Sequence, residues 1–255
     1  MTLIERCVED GLMSKPKMII FDAGRTLLDY TSINTRKGIE SLIPYITENP
    51  LFLTVDEIDR RVNEITAAFD VCKKQLIEVP ERTILTLVFE LLRLKFSIGV
   101  SEIEEILWNT VPVVVPTLHA RETLEKLNEM GIQTAVISNL EFSGNLLKKR
   151  LNELYPNNQF RFVIASGDYG FRKPNHYIFD AGIAKSGFDA VDIWYVGDKI
   201  SVDVEGSQNA GMTPVLFKCP RNHYEYIPEG LKVMDDFLEL LMLVGYDTHR
   251  NSKVH

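Results

Sequence analysis

KMIIFDAGRTLL, residues 17–28, is a short apolar run that ends in an acid and breaks at a glycine. Such a run suits a buried strand whose carboxyl end meets a turn. Outward from it, similar short runs recur at residues 132–138 (IQTAVIS), 162–165 (FVIA), 193–196 (IWYV) and 215–217 (VLF). Helix-like stretches rather than two-residue turns separate them, which implies right-handed crossovers and a parallel sheet covered on both faces.

Between residues 27 and 116 the apolar residues fall at helical intervals instead. Val55, Ile58, Val62, Ile65, Phe69, Cys72 and Leu76 step alternately by three and four, the stripe of one long helix over 54–78. Thr54 with Glu57 opens it as a capping box, Ser101 with Glu104 repeats the pattern, and Pro80 suits the first turn of a helix through Leu85, Phe89 and Leu92. A helix over 117–130 is expected to end at a left-handed Gly131.

The predicted fold class is therefore α/β, a Rossmann-like parallel sheet core over 16–29 and 115–246 with an inserted all-helical cap over 30–114. Residues 1–15 and 247–255 read as terminal extensions, the last polar enough to fray. An insertion directly after the first strand lies above the edge where open parallel sheets bind ligands, and would act as a lid.

A formal charge of −8 over 255 residues offers no basic field to a phosphate backbone, so nucleic acid is not an expected partner. No apolar run approaches the ~20 residues of a membrane helix. The opening MTLIERCVEDGLMSK mixes acids and bases where a signal peptide would be apolar, and Cys7, Cys72 and Cys219 show no paired spacing. Both features predict a cytoplasmic protein. The five histidines show no metal-binding spacing.

Polar groups stand at or just after strand ends, where such sheets place reactive groups: Asp22, Ser138 with Asn139, Lys173, and Asp198 with Asp203. Taken singly each is an ordinary turn, cap or surface residue, and their joint order is what carries information. In that order they resemble the four motifs of the haloacid dehalogenase-like hydrolases. FDAGRTL supplies Asp22, Gly24, Arg25 and Thr26; VISN supplies Ser138; FRKP supplies Lys173; VGDKISVD supplies Gly197, Asp198 and Asp203.

The resemblance spans residues 17–217 and implies a magnesium-dependent hydrolase. Its expected form is a phosphatase that acts on a small phosphorylated metabolite through an aspartyl-phosphate at Asp22. Lys173 would orient that nucleophile and offset the surrounding carboxylates. Ser138, Asn139 and Lys173 would bind the phosphoryl group. Asp22, the Gly24 backbone carbonyl, Asp198 and Asp203 would hold Mg2+, a cation that takes oxygen ligands.

Gly24 stands where the family's phosphatases carry a second Asp that protonates the leaving group and then activates water. Glycine keeps the carbonyl but loses a general acid–base worth ~10²–10⁴ in rate. Three readings follow. The first is a phosphatase for good leaving groups such as acyl phosphates, or one whose acid comes from the lid. The second is a non-phosphatase member: phosphonate cleavage would need a lid lysine such as Lys37, Lys73, Lys74 or Lys95, and dehalogenation sits badly with the intact Asp198 and Asp203. The third is a protein that binds a phosphorylated ligand with little or no turnover. Arg25, where glycine is usual, would clamp a phosphate, occlude the pocket or project to solvent. Gly24→Asp is expected to raise turnover of ordinary phosphate monoesters; unchanged or lower rates in a folded variant would count against the missing-acid explanation.

Overall fold

The computed structural model describes residues 15–246. Cys7, the bulk of the opening extension, the 247–255 tail, His249 and His255 lie outside the described residues.

The strands are β1 (Met18–Phe21), β2 (Leu28–Ile33), β3 (Ile46–Glu48), β4 (Lys95–Phe96) and β5 (Pro112–Pro116), followed by β6 (Gln133–Ser138) and β7 (Phe160–Ala165). β8 (Ile193–Gly197), β9 (Thr213–Phe217) and β10 (Lys232–Met234) complete the set. Six of these form one sheet in the order β10-β9-β8-β1-β6-β7, paired in parallel throughout. Every run read as a strand lies in this sheet. β10 joins it as well, its three residues too short to show a period.

β1 is central and wholly buried because both of its faces are covered. Ile19 and Phe21 pack into the core on one side of the sheet, with Leu124, Leu147 and Phe237, whereas Met18 and Ile20 pack into that on the other, with Ile178 and Phe179. Chain order runs outward through β6 and β7 on one side of β1 and through β8, β9 and β10 on the other. That reversal opens a crevice at the carboxyl ends of β1 and β8, the place where such sheets bind ligands.

The segment between β1 and β6 differs from expectation in three respects. It is not all helical: β2 pairs antiparallel with β5 where the chain leaves and returns, and β3 pairs with β4. The helix predicted over 54–78 is two, Val55–Ala68 and Asp70–Lys74, because Phe69 closes the first on a tighter bond to Thr66 (3.0 Å) and Leu76 then turns left-handed (φ 59°) to bring Ile77 against Phe171. The Thr54–Glu57 capping box is present, but the second cap lies at Gly99, whose N–H donates to Glu102 Oε2 at 3.0 Å. Ser101 is inside that helix, Val100–Thr110. Gly131 is left-handed as expected (φ 73°).

This segment has its own core around Leu42, Ile58, Leu85, Val88 and Leu107. Its exit and return are tied together. Tyr155 donates its hydroxyl to the Leu27 carbonyl and accepts from Thr117 N at 3.2 Å, and Thr117 N also reaches Leu27 O at 3.0 Å.

Charged groups line the seam between this segment and the sheet. The Glu78 side chain is fully buried between Ser166 and Arg172, Lys73 meets Glu141 at 2.8 Å, and Glu104 accepts from Ser143 N at 2.9 Å. Glu81 N donates to Glu141 O at 3.0 Å, which brings the Glu81 backbone to the same seam. Burial first, then the charges of Glu141 and Glu104, pushes that carboxyl up to about 7. A carboxyl raised on folding leaves stability intact below its ordinary value of 4.5 and weakens it progressively as pH climbs toward 7. Glu81→Gln is therefore expected to leave the urea midpoint unchanged at about pH 4.5 and to add about 1–3 kcal/mol at about pH 8; equal midpoint shifts at both pH values would contradict this.

Candidate active site

The crevice holds a cavity of about 250 Å³ lined by Asp22, Gly24, Arg25, Tyr30, Ser138, Asn139, Lys173, Asp198, Lys199, Val202 and Asp203. Every site residue read from the sequence lies on it. Asp22 follows β1, with its N–H fixed to Val196 O at 2.8 Å; Ser138 ends β6; Asp198 follows β8. Asp203 comes from a single π-helical turn, Ile200–Val204, a distortion common at functional sites. Gly197 must be bare for this to work, since a Cβ there would sit 2.4 Å from the Asp203 side chain.

Lys173 is the hub. Its Nζ donates to Asp22 Oδ1 at 2.6 Å, Asp203 Oδ1 at 2.6 Å and the Tyr195 hydroxyl at 2.7 Å, and it is only 2% exposed. Burial pulls its basicity down, but the Asp203 and Asp22 charges outweigh that and hold it well above the ordinary lysine value. The Asn139 side chain is committed to the backbone of Lys173, accepting from its N–H at 2.7 Å and donating to its carbonyl at 2.9 Å. What Asn139 can offer a phosphate is thus its main chain.

Burial pushes the Asp22 carboxyl upward to about 7, with the Asp203 and Asp198 charges adding to the rise and Lys173 opposing it. Asp198 is likewise raised, by burial first. Oxygens of Asp22, Asp198 and Asp203 lie within 4.8 Å of one another, the one such grouping of His, Cys or acidic residues among the described residues. Asp203 uses Oδ1 on Lys173 and Oδ2 on Lys199 N at 3.0 Å. Asp198 Oδ1, by contrast, is buried with no hydrogen-bond partner among the described residues. An unpaired buried carboxylate oxygen is costly, and three buried carboxylates against one ammonium leave an excess of two negative charges. The donor set is all oxygen. On these grounds the site fits a small divalent cation.

Three residues escaped the sequence reading. Tyr195 looks like a core aromatic of IWYV, yet its hydroxyl links Lys173 to Ile137 O at 3.0 Å. Asn222 donates Nδ2 to Asp198 Oδ2 at 2.5 Å and accepts at Oδ1 from Arg25 at 3.0 Å. Arg25, left open between clamp and solvent, is exposed but anchored there, in a left-handed conformation (φ 64°) that ordinarily favours glycine. Tyr30 packs over Gly24. Burial, then the Asp22 charge, lifts its phenol to about 12.

A family model described as "Haloacid dehalogenase-like hydrolase" matches residues 19–217. A glyceraldehyde 3-phosphate phosphatase from Methanothermobacter thermautotrophicus is 31% identical over 132 residues, 49% of this chain and 57% of the relative. A ribulose-1,5-bisphosphate 5-phosphatase from Halopiger xanaduensis is 33% identical over 98 residues, 38% of this chain and 40% of the relative. The match thus spans a little over half the length of the first relative and two fifths of the second. The solved 2-haloacid dehalogenase of Pseudomonas syringae pv. tomato superposes with a TM-score of 0.61 at 19% identity, covering 90% of this chain and 98% of that one, a likeness of fold alone.

Removing the central ammonium would strand Asp22 and Asp203 without compensation. Lys173→Met is expected to cost about 3–5 kcal/mol, read as a lowered urea midpoint; a midpoint within experimental error of the parent would show that the ammonium does not hold the carboxylates together.

Proposed function

The chain belongs to the haloacid dehalogenase-like hydrolases, and on that premise we propose that it is a magnesium-dependent phosphatase of small phosphorylated metabolites, acting through an aspartyl-phosphate at Asp22. One observation carries this reading: a buried carboxylate held by Lys173 shares its cavity with the unpartnered Asp198 Oδ1.

Asp22 Oδ2, which among the described residues accepts only a 3.3 Å bond from Thr26 Oγ1, is the oxygen that attacks phosphorus. Lys173 keeps Oδ1 fixed and so aims Oδ2. Ser138, the Asn139 main chain and Lys173 bind the phosphoryl oxygens as charge builds on them. Asp22, Asp198, Asp203 and the Gly24 carbonyl would hold Mg2+, which when bound supplies charge neutralisation at the phosphoryl group. Residues 30–114 serve as a cap over a core of 16–29 and 115–246, and close the crevice to water.

The relatives named for a triose phosphate and a pentulose bisphosphate favour a phosphorylated sugar as substrate. Phosphonate cleavage is less favoured, because none of Lys37, Lys73, Lys74 and Lys95 lines the cavity. Dehalogenation would leave the excess carboxylate charge uncompensated. No helix among the described residues is long and apolar enough to cross a membrane, and Cys72 and Cys219 are free thiols, which favours a reducing cytoplasm.

Phosphate release from glyceraldehyde 3-phosphate, ribulose 1,5-bisphosphate, glycerol 3-phosphate and acetyl phosphate, with Mg2+ or with chelator, tests the proposal. Turnover is expected only with Mg2+, and Asp22→Asn should lower it by at least about 1000-fold. Turnover indifferent to chelator, or retained by Asp22→Asn, would overturn it.

A further inference from the structure

Tyr30 fills the space that an aspartate at position 24 would need. A Cβ built on Gly24 would lie 3.2 Å from Tyr30 Cε2 and 3.8 Å from the Tyr30 hydroxyl. A carboxyl there would carry its oxygens about 2.4 Å from that Cβ by ordinary bond lengths, so the hydroxyl stands just beyond the shell the missing acid would occupy. The two side chains compete for one place, and Gly24→Asp fits only if the ring gives way by a few tenths of an ångström.

The backbone brings the ring there. Residues 22–28 fold back on themselves, with Leu27 N and Leu28 N each 2.8 Å from Ala23 O and Gly24 bridged to Leu28. The β2–β5 ladder then shifts register between Tyr30 and Ser32, and such bulges re-aim side chains beside active sites. Tyr30 thereby lines the same cavity as Asp22. Its carbonyl accepts from Arg221, but its hydroxyl has no hydrogen-bond partner among the described residues. The hydroxyls of Tyr155, Tyr195 and Tyr224 are all engaged. Tyr30 is thus set apart from them by holding an uncommitted O–H in the reaction cavity.

Resting on the phosphatase reading above, we propose that Tyr30 is the proton donor to the leaving group, in place of the carboxyl missing at position 24. As the bond between Asp22 Oδ2 and phosphorus forms, the bond from phosphorus to the substrate alcohol breaks and its electron pair passes to the alcohol oxygen. The Tyr30 hydroxyl proton transfers to that oxygen, which leaves as the neutral alcohol beside an aspartyl-phosphate and a phenolate. Water then attacks phosphorus and gives its proton to the phenolate; the Asp22–phosphorus bond breaks, and carboxylate, phenol and inorganic phosphate result. The Tyr30 hydroxyl is suited to this by standing in the cavity with no other partner among the described residues. It implies a preference about leaving groups: an ester of an aliphatic alcohol needs the proton, whereas an acyl phosphate expels a carboxylate that does not.

Tyr30→Phe removes only the hydroxyl, and no hydrogen bond among the described residues is lost with it. In full-length protein with Mg2+, kcat/KM, which reports the leaving-group step and not the shared hydrolysis of the aspartyl-phosphate, should fall at least about tenfold on glycerol 3-phosphate and change less than about threefold on acetyl phosphate. An unchanged kcat/KM on glycerol 3-phosphate overturns the assignment, and so does an equal loss of kcat/KM on both substrates, which a merely structural role would give. Wild-type turnover of acetyl phosphate alone also overturns it and leaves the phosphatase reading standing. Wild-type turnover of neither substrate, nor of the sugar phosphates above, removes the phosphatase reading and this inference together.

Discussion

The contact on which the rest depends is the Lys173 ammonium wedged between Asp22 and Asp203, 2.6 Å from each. Three ions buried together lose hydration worth several kcal/mol apiece, and their mutual attraction recovers this only in excellent geometry. The surroundings supply that geometry. Asn139 grips the Lys173 backbone at both ends of its amide, Tyr195 takes a third ammonium proton, and a bare Gly197 lets Asp203 close against β8. Such a cluster specifies an arrangement more than it stabilises a fold, and the arrangement it specifies leaves Asp198 Oδ1 empty-handed.

The members of this cluster are remote in sequence; Lys173 and Asp22 are 151 residues apart. They meet because the strand order places β1 between β6 and β8 and brings the carboxyl ends of all three to one edge. The site therefore cannot exist before the sheet does. The apolar strands that close the two cores and the acids that follow them are parts of one construction, since a strand buried on both faces has nowhere to place a charge except at its end.

This explains what could be read from the chain and what could not. β1, β6, β8 and β9 announced themselves as continuous apolar runs because they are covered on both sides, and Asp22, Ser138 and Asp198 stood out against them. The Thr54–Glu57 cap was legible because it is wholly local. The second cap was displaced by two residues because Glu102 takes the Gly99 N–H at the same three-residue spacing that separates Glu104 from Ser101, half of a capping box, while packing draws Glu104 away to Ser143 and Arg82. The β2–β5 ribbon was missed although β5, PVVVP, is a β-branched run between two prolines; its partner β2, LDYTSI, is half exposed and mixed in polarity, and only the pairing of the two makes a ribbon. Asn222 lies 197 residues from Arg25, and nothing in the local sequence couples them.

The two departures from the family pattern, Gly24 and Arg25, belong to one turn and bear on one another. A left-handed arginine costs about 1–2 kcal/mol relative to glycine, and the offset here is a hydrogen bond to Asn222, whose amide is thereby oriented to serve both Asp198 Oδ2 and Asp198 O. The absent side chain at Gly24, in turn, leaves room for Tyr30 to lie over the turn. Each change viewed alone is a loss, of backbone ease in one case and of an acid in the other. Viewed in the fold, each opens a contact to a residue outside the motif, Asn222 on the side of Asp198 and Tyr30 over the turn at Gly24. A departure at a motif position is thus not by itself a measure of lost chemistry; what occupies the vacated volume, and what the new side chain reaches, has to be known first.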